Sequence, residues 1–171
     1  MKKLCLFSTL LIFILVSGCK QKDSGFDPEI EKAEILKVFD LNMALLQNND
    51  KQGLIDFLKK YNMPQSYLIT GDTLIFIDNT SKSDEELIKG FDQDYTSVSH
   101  IIPPMITFSP DGKMAYVIDK LQLKWKKDSI EKKGNLAFFQ IMNKVDSVWK
   151  MGDSMMARET ADILASANTE K

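Results

Sequence analysis

Two rhythms of apolar residues divide this chain. The first is helical: Ile35, Val38, Phe39, Leu45 and Leu46 fall on one stripe of a helix that starts at Asp27-Pro28. That pair supplies an N-cap acid and a proline at the first helical position. Asn48-Asn49-Asp50 ends the helix, and Asp50 caps a second one with Leu54, Phe57 and Leu58 facing inward. "SYLIT" and "TLIFID", joined through Gly71-Asp72, predict a hairpin. Ser83-Asp84-Glu85-Glu86 is a capping box and predicts a third helix running to about Phe91–Thr96.

Beyond it the period drops to two. "HIIPPMITFS" leads into the turn Ser109-Pro110-Asp111-Gly112, and "KMAYVIDKLQLKWK" follows, with Leu121, Leu123 and Trp125 alternating against Lys120, Gln122 and Lys124. "KKGNLAFFQIMNK" comes next, and "SVWKMGDSMMAR" after a turn at Asp146-Ser147. Long amphipathic antiparallel strands need one face covered, and the helices supply the cover. The pattern predicts an α+β fold, a curved antiparallel sheet wrapped on about three N-terminal helices.

The segment before Asp27 follows neither rhythm. Lys2 and Lys3 precede the apolar run Leu4 to Val16, which is shorter than the roughly 20 residues a bilayer span needs. A short basic start, an apolar run and the small residues Ser17 and Gly18 have the layout of a secretory signal. Leu15-Val16-Ser17-Gly18-Cys19 resembles the lipobox of bacterial lipoproteins. That resemblance implies cleavage before Cys19, lipidation of its thiol, and partnership with a membrane through the lipid anchor. Each buried acyl methylene contributes about 0.8 kcal/mol, so two or three chains hold firmly where one does not. The competing reading is an ordinary cleaved signal with Cys19 a free thiol. Lys20, standing where some inner-membrane lipoproteins carry Asp, favours the outer membrane of the cell envelope. The expected organisation is 1–18 signal peptide, 19–26 lipidated tether, 27–158 folded domain and 159–171 flexible tail.

Charge and cysteine content narrow the classes further. Loss of Lys2 and Lys3 takes the formal net charge from −2 to −4, which gives nucleic acid no electrostatic foothold. Cys5 leaves with the signal and Cys19 becomes a thioether, so no intrachain disulfide is expected. The single histidine, His100, lacks a second His or Cys at ligand spacing, so neither a metal site nor a cofactor is expected. Its expected place is a surface position just before a strand.

The segment "ITFSPDGKMAYVIDKLQLKW" and the following "KKGNLAFFQIMNKVDSVWKMGDS" resemble the C-terminal half of the SnoaL-like, ketosteroid-isomerase-like families of the nuclear transport factor 2-like superfamily. The resemblance rests on Asp111, Gly112, Ala115, Tyr116, Val117, Gly134, Trp149 and Lys150, and covers roughly residues 28–157. It implies a SnoaL-like domain at 27–158: a cystatin-like, cone-shaped half barrel with a pocket between the sheet and the first helix.

Five residues are candidates for that pocket. Asn42 interrupts the apolar stripe of the first helix; in the isomerases a polar residue on this helix points inward, whereas the plainer reading is a core amide bonded to backbone. Asp119 interrupts the inward series Ala115, Val117, Leu121, Leu123, and Gln140 interrupts Leu136, Phe138, Met142. Asp153 is expected to share a strand face with Trp149, Met151 and Met155. A carboxylate in an apolar cavity is costly to ionise and is suited to work as a general base; the plainer reading puts both acids at strand ends or bulges open to water. The isomerases' oxyanion-holding tyrosine and acid find no counterpart, because Tyr116 has the wrong parity relative to Asp119 and Tyr95 falls in the predicted third helix. Three functions remain open: a non-catalytic module binding a small apolar molecule, an isomerase- or dehydratase-type enzyme with a carboxylate base, and an interaction protein that forms a homodimer through its sheet.

Overall fold

The computed structural model describes residues 26–89, 93–127 and 130–160. Cys19 lies outside the described residues, as do the signal, nearly all of the tether and the end of the tail.

Helix α1 spans Pro28–Gln47, with the Asp27 carboxylate accepting from the amides of Glu29 and Ile30 at 3.0 and 3.4 Å. Asn49, at φ 51°, turns the chain, and Asp50 caps helix α2 (Lys51–Tyr61) by accepting from Gly53 N at 2.9 Å. Strands β1 (Gln65–Thr70) and β2 (Thr73–Asp78) form the expected hairpin. The capping box is present: Ser83 N donates to Glu86 and Glu86 N to the Ser83 hydroxyl. Helix α3 is shorter than predicted, Asp84–Ile88, and Tyr95 is in a strand. The reason is non-local. Tyr95 and Val98 pair with Trp125 and Leu123 and bury against Met43 and Leu46 of α1, and this packing outweighs helical continuation.

Strands β3 (Asp94–Phe108), β4 (Met114–Lys127), β5 (Ile130–Val145) and β6 (Val148–Thr160) complete one six-stranded sheet in the order β2-β1-β6-β5-β4-β3. Every neighbouring pair is antiparallel except β1 with β6. β3 is an edge strand, which accommodates Pro103 and Pro104 among three shifts of its register with β4. The α+β architecture is therefore as the alternating pattern indicates, helices on one face of a curved sheet.

The core has two parts. At the closed end, Ile35, Val38 and Phe39 of α1 meet Ala115, Val117, Met142 and Trp149 of the sheet and Ile55, Phe57 and Leu58 of α2. At the other end Tyr95, Val98, Leu121 and Leu123 gather with Met43, Leu46 and Leu136. Each fully buried aliphatic side chain contributes about 1.5–3 kcal/mol. Phe26 seals the closed end, edge-on to Phe108 at 5.3 Å. It lies so close over Gly112 (φ 65°) that a Cβ there would meet its ring at 2.3 Å.

One polar link crosses this core. Glu31, buried on α1, accepts from Trp149 Nε1 at 2.7 Å and from Lys144 Nζ at 2.5 Å, and Lys144 and Trp149 are register partners on β5 and β6. Burial pushes the Glu31 carboxyl up, but the hydrogen bonds from Lys144 and Trp149 outweigh it and hold the group below its ordinary 4.5. A depressed folded-state value means that the stabilisation is complete above about pH 4.5 and is lost as pH falls through the folded value. Glu31→Gln is expected to cost about 1–3 kcal/mol at neutral pH. Urea unfolding at a series of pH values checks this, and the gap between wild type and variant should narrow in acid.

Candidate functional site

Between the two core clusters lies a pocket of about 510 Å³, within the range used for small organic ligands. α1 contributes Phe39, Met43 and Leu46 to its wall, and the sheet contributes Leu121, Leu123, Leu136 and Phe138. Phe39 stacks on Phe138 with centroids 5.7 Å apart. Leu58 of α2, Leu68 and Ile77 of the hairpin and Leu87 of α3 close the remaining sides. Lys82 and Glu86 reach the lining near α3, but Glu86 is committed to its capping box and Lys82 Nζ lies 3.5 Å from Asn79 Oδ1.

Polar groups also interrupt this wall through Asn62, Ser66 and Asn79 on the side of α2 and the hairpin, and through the sheet, where Asp119 is the most deeply buried. The inward row of β4 buries Ala115, Val117, Asp119, Leu121 and Leu123 while Met114, Tyr116 and Ile118 face outward. Asp119 therefore sits inside an apolar face, its side chain wholly shielded from solvent. An isolated charge there is prohibitively costly. The compensation comes from Lys120 N, which donates to Oδ1 at 2.7 Å, and from His100, whose Nδ1 lies 3.0 Å from Oδ1 and 2.8 Å from Oδ2. Only Oδ1 lies in line for a hydrogen bond; Oδ2 faces the ring nitrogen obliquely.

His100 is thus not a surface residue ahead of a strand. It lies inside β3, opposite Leu121, with a quarter of its side chain open (24%) and its ring on the pocket lining. The overlooked signal was the two-residue step from Val98 to His100.

Asn42 also lines the pocket, and its Oδ1 is buried without a hydrogen-bond partner among the described residues. Gln140 lines it too, but its amide is occupied: Nε2 lies 3.0–3.1 Å from the carbonyls of Ile141, Gly152 and Asp153. Those carbonyls belong to a β-bulge. Between the pairs Gln140↔Ser154 and Met142↔Met151, β6 has Gly152 and Asp153 opposite the single residue Ile141. Gly152 fits because a Cβ there would come within 2.7 Å of Asn143 Nδ2.

The bulge reverses the parity of β6 and corrects two expectations. Asp153 and Met155 turn outward and are exposed, while Ser154 and Met156 take the inward places on the pocket. Asp153 instead accepts from Tyr67 N at 2.8 Å and fastens the hairpin to the sheet. Trp149, before the bulge, points inward but at the closed end, against Phe108 at 5.8 Å and Glu31, outside the pocket lining. The structure thus brings together Asn42, Asp119 and Gln140, adds His100 and Tyr95, and leaves out Asp153 and Trp149.

No family model matches the sequence, and no curated protein does either. Solved structures do. An NTF2-like protein from Cytophaga hutchinsonii superposes with a TM-score of 0.56 at 13% identity, over 74% of this chain and 96% of that one. An NTF2-like protein of unknown function from Prochlorococcus marinus gives 0.58 at 15%, over 78% and 97%. A cystatin-like protein of unknown function from Nostoc punctiforme gives 0.52 at 14%, over 76% and 92%. At such identities the likeness concerns architecture, and the chain has the NTF2-like, cystatin-like fold.

Proposed function

We propose that this domain binds a small molecule with an apolar body in the pocket between α1 and the sheet, as a binding module rather than an enzyme. The pocket itself carries the reading: about 510 Å³, lined in large part by leucine, methionine and phenylalanine, with polar side chains from the helices, the hairpin and the sheet set among them. The disposition of the acids favours binding over isomerase or dehydratase chemistry with a carboxylate base. Asp153 faces outward, and Asp119 is shielded behind His100 and committed to His100 and the Lys120 amide. A general base must reach the proton it abstracts. Leu123→Trp, which fills the pocket, should abolish retention of any apolar ligand. Native mass spectrometry of protein purified without detergent exchange checks this, and equal retention in both forms would contradict it.

The lipobox-like stretch supports a second part of the same reading, that lipid on Cys19 tethers the domain to a bacterial envelope membrane. Cys19→Ala should move the protein from the membrane to the soluble fraction on cell fractionation. A variant that stays with the membrane refutes the anchor.

A further observation favours self-association. One exposed apolar row crosses all six strands on the face away from the helices: Leu74, Ile69, Met155, Phe139, Ile118 and Met105, each the register partner of the next. Tyr116 stacks on Phe139 beside it at 5.6 Å. Contiguous apolar surface of this kind marks an interface, and a second copy presenting the same face would cover it. Sedimentation velocity should show a dimer that Phe139→Lys converts to monomer, whereas a wild-type monomer at all concentrations would exclude the interface.

A further inference from the structure

We propose that the pocket selects ligands whose polar end is a hydrogen-bond-donating hydroxyl, read by Nε2 of His100. This rests on the pocket reading above and adds the chemical class of the ligand's head.

Asp119, as a carboxylate, only accepts hydrogen bonds. Its Oδ1 already takes the Lys120 amide at 2.7 Å, and both oxygens confront His100 Nδ1 at 3.0 and 2.8 Å. In the neutral ring this places the hydrogen on Nδ1, since two acceptors would otherwise face each other, and leaves Nε2 with a bare lone pair. The ring is open only in part, it lines the pocket, and Nε2 makes no hydrogen bond among the described residues.

The surroundings make that lone pair selective. On the lining, Tyr95 shares the strand of His100, Asn42 comes from α1, Gln140 and its register partner Ser154 from β5 and β6, and Asn62, Ser66 and Asn79 from the side of α2 and the hairpin; Gln140 Nε2 is already committed to backbone carbonyls. Lys82 and Glu86 belong to the segment around α3, and Glu86 is held by Ser83. An acceptor in an apolar cavity that loses water without gaining a donor is penalised, so a ligand lacking the donor is rejected. The apolar wall grips the body of the ligand, and the His100–Asp119 pair tests for the hydroxyl.

The test compares 2-naphthol with its methyl ether, 2-methoxynaphthalene, which keeps the rings and the oxygen but donates nothing. Binding is measured by calorimetry on the full chain in phospholipid nanodiscs, with empty discs subtracted. Wild type should bind 2-naphthol about tenfold more tightly than the ether. In the double variant His100→Phe/Asp119→Leu, which leaves no unpaired carboxylate, the ratio should fall to about one with ether affinity kept. Asp119→Asn gives a second readout. Lys120 N holds the amide oxygen at the Oδ1 place and Nδ2 takes the Oδ2 place, so Nδ1 faces an acceptor and a donor together and neither tautomer is imposed. The preference should then weaken. Equal binding of both probes by wild type, or a ratio that survives in His100→Phe/Asp119→Leu, overturns the hydroxyl reading and leaves the pocket reading standing. If neither probe binds wild type better than Leu123→Trp, the pocket reading itself falls. Should Asp119→Asn fail to fold by circular dichroism, the His100→Phe/Asp119→Leu comparison decides alone.

Discussion

A carboxylate buried in an apolar sheet face needs a partner, and in this protein that need organises the pocket. Asp119 cannot leave the inward row of β4 without inverting the strand, which would expose Val117, Leu121 and Leu123. It cannot remain there unpaired. His100 answers the need from β3, so the register of β3 against β4, irregular on either side of His100, delivers one ring nitrogen to the buried charge. The other face of the ring lies on the pocket, where the walls otherwise offer mostly hydrocarbon. Stability and recognition here share one contact.

The space itself arises from how the sheet and α1 close. Two core clusters, joined through Phe138, pack α1 against the sheet at both ends, and the pocket is the gap between them. The Glu31–Lys144–Trp149 link fixes one end of α1 to β5 and β6, while Gln47 Nε2 reaches the Val98 carbonyl from the other at 2.5 Å. The bulge at Gly152–Asp153 bends β6, and Gln140 satisfies its carbonyls from within. Gln140 is therefore a brace for the pocket wall.

What was legible in the sequence is what local physics dictates. Asp27-Pro28, Asp50 and the Ser83–Glu86 box announce their helices because capping is a contact among near neighbours. The regular alternation of β4 placed Asp119 on the inward face, and the stripe of α1 placed Asn42. What escaped depends on pairing between distant segments. Asp153 was misplaced because strict alternation carried it across a bulge; the isolated Gly152 inside a strand pattern was the available warning. Tyr95 went to a helix and His100 to the surface because the start of β3 is set by contacts with α1 and β4. Trp149 was assigned the right face but the wrong depth, since parity says nothing of where along a strand the cavity lies.

The central claim is that Asp119 fixes the tautomer of His100 and so determines what the pocket can recognise. The chain has one histidine, so its imidazole nitrogens give a single, unambiguous pair of signals. Two-bond ¹⁵N–¹H correlation on uniformly labelled protein reads the tautomer directly. The account predicts a protonated Nδ1 and a bare Nε2 in the neutral wild-type ring, and averaging between both forms in Asp119→Asn. A neutral wild-type ring protonated on Nε2, or one averaging as a free imidazole does, would contradict it.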